Sequence, residues 1–204
     1  MKESLQKIYD GFAETYDASR GLFDISDILD SFYAQLKPVP GHLLDLGCGA
    51  GEPVARYFID RGWDVAGVDF SQRMLQLALK YVPEMHTIKS DMLDVDFDVN
   101  QFNAITATYS LFHVPATAHA ELFEKMHRWL CPGGRALFTY ATSSYTGSDE
   151  FDGFKTFMDK QLYYSHKTPG NLFADLDKTG FIIESSEYRN IGGEEFLWVT
   201  VKKA

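Results

Sequence analysis

The chain has 204 residues, 45% of them hydrophobic and 24% charged, the balance of a globular domain with a full core. Its 19 basic and 29 acidic residues leave a formal charge of −10, so the basic face that a phosphate backbone requires is missing and nucleic acid is not an expected partner. The two cysteines (Cys48, Cys131), an opening stretch without an apolar leader and the lack of any run of about 18 apolar residues lead to the expectation of a reduced, cytoplasmic chain with no membrane span.

Leu5, Ile8, Tyr9, Phe12 and Tyr16 recur at helical spacing, which predicts a helix over 2–19. A second helix is expected over 25–36, and "LKPVPG" ends this helical cap of residues 1–40. "HLLDLG" then reads as a buried strand, 52–61 as a helix closing at Gly62, and "WDVAGVDF" as the next strand. Ser71 is placed as the N-cap of "QRMLQLALKYV", whose inner face would carry Met74, Leu75, Ala78 and Leu79. "MHTIKSD" and "FNAITATYS" follow as strands, and a helix runs from Pro115 to Leu130. "CPGG" is expected to turn the chain into a fifth strand, "RALFTYA". Residues 141–167 lose the rhythm: aromatic-rich, without a clean period, they read as an insertion or lid. Thr168 and Pro169 open a last helix that stops at Gly180, and "FIIESSEYRN" and "EEFLWVTVKK" close the chain as antiparallel strands. The expectation is one α/β domain: a Rossmann-like, seven-stranded, mostly parallel sheet with the last strand antiparallel and helices on both faces.

Chemistry concentrates at the ends of the early strands. "LLDLGCGAGEP" places Gly47, Gly49 and Gly51 at alternate positions after Asp45, in a strand-to-helix turn where backbone can approach a ligand closely. A dinucleotide loop would carry glycine at position 52, which is Glu here, and the phosphate-cradling GxxxxGK[ST] is absent. Acids at 45 and 52 suit a ligand without a pyrophosphate, and they attract a cationic one. Asp69 ends the second strand, where a carboxylate can accept both ribose hydroxyls of a nucleoside. Asp91, beside Met92 after the third strand, could hold an adenine amino group.

Taken in order, "YDGFAETYD", "LLDLGCGAGE", "VAGVDFSQRML", "SDM", "FNAITATYSLFHVP" and "LCPGGRALFTY" resemble the motifs of class I S-adenosylmethionine-dependent methyltransferases, in their small-molecule (type 11/25-like) branch. The resemblance covers most of residues 9–140 and implies a cofactor-binding core at 41–140, a substrate lid at 141–167 and a closing helix and strands at 168–204. It implies S-adenosylmethionine as cofactor and S-adenosylhomocysteine as product. On that pattern Gly47, Gly49 and Gly51 wrap the methionine part, with Asp45 near its ammonium group. Asp69 holds the ribose, Phe70 lines the adenine pocket, and Asp91 and Met92 hold and cover the base. Thr108 lies near the sulfonium, Tyr16 folds over the methionine end, and Arg20 pairs with its carboxylate. Asn103 stands where the family commonly has Asp, on a side turned from the cofactor.

Methyl transfer is an in-line displacement from a good leaving group, so the protein must chiefly align the nucleophile and exclude water. A base is needed only where the nucleophile loses a proton; His113 and His166 are the candidate catalytic residues, and His42, His86, His119 and His127 read as surface or helix-face residues. No metal site is expected, the acids at 91, 94, 96 and 98 reading as a solvated loop. Lid aromatics Tyr145, Phe151, Phe154, Phe157, Tyr163 and Tyr164 could cover an apolar substrate, box an amine, or form a small core of their own. The expected function is methyl transfer to O or N of a small molecule. A protein or tRNA methyltransferase, or a catalytically silent cofactor-binding protein, are the alternatives, and monomer or homodimer is left open.

Overall fold

The computed structural model describes residues 6, 8, 10, 11, 24–37, 39–157 and 160–204. Residues 6, 8, 10 and 11 are helical, while Tyr16 and Arg20 lie outside the described residues. Helix α1 (Ser26–Tyr33) buries Ile28, Leu29 and Phe32, a face set by one- and four-residue spacing. Strand β1 (His42–Leu46), α2 (Val54–Ile59), β2 (Asp64–Asp69), α3 (Gln72–Tyr81) and β3 (His86–Lys89) build the first half of the sheet. β4 (Phe102–Ala107), α4 (His119–Trp129) and β5 (Leu130–Tyr140) cross to its other side. After a short helix, α5 (Ser143–Thr146), come a hairpin of β6 (Phe151–Phe157) and β7 (Lys160–His166), then α6 (Pro169–Thr179), β8 (Phe181–Ile191) and β9 (Glu194–Lys203).

The main sheet has the order β3-β2-β1-β4-β5-β9-β8. β1 pairs parallel with β2 and with β4, and only β9 runs against its neighbours, β5 and β8. This is the expected seven-stranded arrangement. The chain reverses its direction of growth between β1 and β4, which opens a crevice beyond their carboxyl ends. Both sheet faces are covered, and strand alternation sends neighbouring residues to opposite layers. Leu44, Leu46, Ile105 and Phe138 pack with Phe123, Met126 and Trp129 on one side. Leu43, Ala104 and Leu137 pack with Phe58, Trp63 and Leu75 on the other.

Local chemistry explains the element boundaries. Ser71 caps α3, its side chain accepting from the Met74 N–H, and Thr168 does the same for Asn171 at the start of α6. The Ser71 hydroxyl also donates to Asp10 Oδ1 at 2.6 Å, which ties the N-terminal helix to the end of β2.

Four expectations change. Leu79 is 54% exposed, because α3 buries only the Met74, Leu75 and Ala78 stripe. "CPGG" is a bulge inside β5: Leu130 pairs with Phe102 and Arg135 with Ala104, so the intervening residues loop out while the strand continues. His119 is fully buried; its Nε2–H donates to the Val114 carbonyl at 2.9 Å, leaving Nδ1 to meet the Tyr140 hydroxyl at 3.2 Å. Phe151–Phe157 and Lys160–His166 form a second, two-stranded sheet; Phe151, Phe154 and Phe157 stand three apart and so conceal the period of two.

Two glycines of the β1–α2 turn separate fold from function. A Cβ on Gly51, whose φ is +82°, would lie 2.8 Å from Val82 Cγ2, whereas one on Gly49 would meet nothing within 4 Å. Gly51→Ala combines left-handed strain with overpacking and is expected to lose about 2–4 kcal/mol, a Tm fall of roughly 10 °C, against about 1 kcal/mol for Gly49→Ala. Thermal melts compare them; equal losses would mean that Val82 gives way.

Candidate functional site

A cavity of about 470 Å³ opens at the carboxyl ends of β1, β2 and β4, with the β1–α2 turn along its floor. The parity that puts Leu43 in a buried layer does the same for Asp45, which is only 3% exposed. Thr106, its register partner on β4, donates its hydroxyl to Asp45 Oδ1 at 2.8 Å. Loss of hydration pushes the Asp45 carboxyl up to about 7; the Thr106 hydrogen bond opposes this and the nearby Asp69 charge adds to it. Asp69 ends β2, and its two oxygens accept from the Gly49 and Ser71 N–H groups at 2.9 and 2.8 Å. Burial raises its carboxyl to about 6 against those two bonds.

The structure brings most of the expected cofactor residues to one wall. Asp45, Gly47, Gly49, Asp69 and Phe70 line the cavity, as do Asp91, Met92 and Thr108. Asp91 lies two residues past β3 and accepts from the Leu93 N–H at 2.9 Å. Met92 brings its ε-methyl close to Gly47, on the side that Ser110 crowds. Gly51 is outside the lining, its Cα turned to Val82 and Met85 instead of a ligand. Tyr16 and Arg20 fall among the undescribed residues, though Gln6 of the same segment reaches the cavity.

The two histidines part company. His113 ends the short 3₁₀ turn Leu111–His113 and lines the cavity. Its Nδ1 stands 2.6 Å from the Tyr163 carbonyl, an acceptor, so Nδ1 carries the proton and Nε2 is the basic nitrogen. Burial lowers it to about 4, so it is neutral at physiological pH. His166 is 1% exposed but lies outside this cavity. Its ring bonds the Thr146 hydroxyl at 2.7 Å and the Lys167 carbonyl at 3.1 Å, which makes it a brace between α5 and the hairpin, away from the cavity that His113 lines.

Of the lid aromatics, Phe157, Tyr163 and Tyr164 line the far wall of the cavity; sequence reasoning missed the residues they meet there, Phe112, Glu194 and Phe196. Phe112 stacks on Phe196 at 4.9 Å with 9° between planes, and on Tyr164 at 5.3 Å with 24°. Tyr145 backs Phe196 at 4.5 Å without lining the cavity, and Phe154 points outward, 58% exposed. Glu194 joins this wall from the start of β9. Nothing in the pattern of "EEFLWVTVKK" marks Glu194 or Phe196 as facing a cavity; only the packing of the hairpin against β9 does so.

Comparisons with known proteins agree with this geometry. Residues 43–134 match the family described as a methyltransferase domain. Phosphoethanolamine N-methyltransferase 2 of Caenorhabditis elegans is 30% identical over 155 residues, 72% of this chain and 34% of that protein. Demethylmenaquinone methyltransferase of Lysinibacillus sphaericus is 24% identical over 84% of this chain and 74% of its own length. Several of the curated relatives are much longer, the chain spanning 29–56% of their length. Among solved structures, 1,6-didemethyltoxoflavin-N1-methyltransferase of Burkholderia thailandensis, with bound 1,6-didemethyltoxoflavin and S-adenosylhomocysteine, superposes with a TM-score of 0.68 at 21% identity, over 97% of this chain and 87% of that one. With its motif-bearing stretch matched in sequence and its fold shared over nearly the whole length, the chain belongs to the class I S-adenosylmethionine-dependent methyltransferases.

Proposed function

We propose that this chain transfers a methyl group from S-adenosylmethionine to an oxygen or nitrogen of a small molecule. The observation that carries the reading is one continuous cavity with two unlike ends, an acid-lined glycine turn and an aromatic wall that includes His113. The relatives named for phosphoethanolamine and demethylmenaquinone support a small acceptor.

The residues present fit the cofactor. The open space beside Gly49 leaves bare backbone for the methionine part, and Asp45 lies within the same lining to meet its ammonium group. Asp69 would accept the ribose hydroxyls, Phe70 and Met92 would enclose the adenine, and Asp91 would take its amino group. Thr108 would stand near the sulfonium. When bound, S-adenosylmethionine supplies an electrophilic methyl carbon whose leaving group is a neutral thioether. The chain then has three tasks: to align the acceptor's lone pair, to exclude water, and to receive the proton the acceptor sheds. Neutral His113 accepts a hydrogen bond at Nε2 from the acceptor O–H or N–H and so orients it. A base at about 4 is weak against a free hydroxyl, but the acceptor becomes strongly acidic as its new bond forms, and the proton can then pass to Nε2.

Two outcomes follow. Protonated Asp45 must ionise to meet an ammonium, so cofactor binding lowers its pKa and releases a proton near pH 7. Calorimetry of S-adenosylhomocysteine in buffers of different ionisation enthalpy should show that release, with affinity rising between pH 6 and 8; Asp45→Asn should remove both. A wild-type affinity that stays flat across that range would overturn the assignment of Asp45. His113→Ala should lower turnover about tenfold or more while leaving cofactor affinity intact. Because the wild-type imidazole titrates near 4, His113→Ala should leave the acid side of the kcat/KM profile unchanged between about pH 5 and 8, where Asp45 and Asp69 set it. An inflection there that His113→Ala abolishes would mean that this histidine titrates as an ordinary base.

A further inference from the structure

The lining has a pronounced charge imbalance. Six carboxylates line the cavity (Asp45, Glu52, Asp69, Asp91, Asp94, Glu194), against Lys89 as the one fixed cation among the described lining residues. Five of the six belong to the glycine turn and the ends of β2 and β3, at the cofactor end. Glu194 stands apart. It opens β9 two residues before Phe196, and strand alternation therefore turns both toward the same side. That side is the aromatic slab of Tyr164, Phe112 and Phe196.

The environment of Glu194 is built. It is half-buried, and burial holds its carboxyl above its ordinary range, opposed by a hydrogen bond from the Tyr145 hydroxyl and by the Lys155 charge. Lys155, whose ammonium donates to the Tyr145 carbonyl and lies 4.0 Å over the Tyr145 ring, is not among the residues that line the cavity. The slab adds a flat apolar surface on which a ring can stack, with His113 packed on Tyr164 at 4.9 Å. A carboxylate beside stacked aromatic faces is the chemistry that recognises a cation. An acceptor bearing a phosphate or carboxylate would instead meet Glu194 with no cation to offset it among the described lining residues at that end.

We infer that Glu194 determines specificity, selecting an acceptor that is a ring compound carrying a protonated amine and no anionic group, the ring packing against the aromatic wall and the ammonium on Glu194. This inference rests on the methyl-transfer reading of the same cavity. The amine anchors the acceptor, and the group that receives the methyl is the one His113 orients.

The test uses the intact chain with matched ring compounds that differ only in side-chain charge: 4-hydroxyphenethylamine, 4-ethylphenol and 3-(4-hydroxyphenyl)propionate, with an indole triplet of the same three kinds. Calorimetry measures each with and without saturating S-adenosylhomocysteine. The amine is expected to bind at least tenfold more tightly than its neutral partner, and the carboxylate more weakly than either. Glu194→Gln should erase the amine preference with Tm unchanged, and Glu194→Lys should reverse it toward the carboxylate, with S-adenosylhomocysteine affinity unchanged in both. An amine-to-neutral ratio that Glu194→Gln leaves untouched overturns the inference, as does the failure of both amines to bind at millimolar concentration. Loss of S-adenosylhomocysteine binding in the wild type would overturn the methyl-transfer reading instead, and the measurements without it would still decide the role of Glu194.

Discussion

Asp45 is a carboxylate enclosed between two layers of apolar side chains, with a single hydroxyl, that of Thr106, bonded to it. Such a group is costly to hold ionised, and the cost is visible in a carboxyl raised to about 7. Asp69, the next acid along the crevice, is raised for the same reason; its charge adds to the difficulty at Asp45, and that of Asp10 adds to its own. A positive group arriving between the strands would offset the desolvation penalty that the apo chain carries. The linkage has a definite sign. Raised acids contribute stability at low pH and lose it as pH climbs from 3.8 towards 6 and 7. His113 and His119, lowered from 6.5 to about 4, act in the opposite sense, losing stability as pH falls through that interval. The apo chain is thus under opposed electrostatic demands, and the ligand relieves those of the acids.

The two ends of the cavity are made in different ways. The end we assign to the cofactor comes from residues 45–92, three successive strand ends and the turns after them, held by parallel register. The acceptor end is assembled from three remote segments: the turn after β4, the hairpin, and the first residues of β9. The hairpin is an addition to the seven-stranded sheet and not part of its register, so it can vary in length and side chains without disturbing the strands beneath it. Shared cofactor chemistry and divergent acceptors within one fold follow from that division.

The same division accounts for what was legible in the sequence. Gly47, Gly49, Asp69 and Met92 belong to local motifs whose spacing implies their geometry, and the α/β alternation implied a mostly parallel sheet before any packing was known. Phe112, Glu194 and Phe196 belong to no motif; each faces the cavity because an element distant in sequence packs beside it. The hairpin was hidden by phenylalanines three apart, a spacing that imitates a helix, and by the run Leu162–His166, buried on both faces and so lacking a polar alternate. His119 was misjudged because nothing in a sequence shows that a histidine's two nitrogens will both find partners inside the core. His166 had a plausible position in the lid and the wrong side of it.

One turn joins the two ends. Thr108 lines the cavity, and Tyr109 next to it has φ +53°, a left-handed conformation that costs a non-glycine residue about 1 kcal/mol or more. The surroundings hold it there. Its N–H donates to Thr139 Oγ1 at 2.6 Å, and its ring meets Phe196 and Trp198 edge-on at 5.7 and 5.5 Å. Ser110 follows, its hydroxyl bonded to the Leu46 carbonyl at 2.6 Å and its Cβ so near Gly47 that no side chain fits between them. Phe112 and His113 complete the segment. Within six residues the chain touches the glycine turn, the aromatic slab and the imidazole. An in-line displacement tolerates little error in the line from leaving group to nucleophile. A single strained, over-determined turn that sets both the donor's floor and the acceptor's wall is a direct way to keep that error small, and it explains why a conformation unfavourable for tyrosine is kept at this place in the fold.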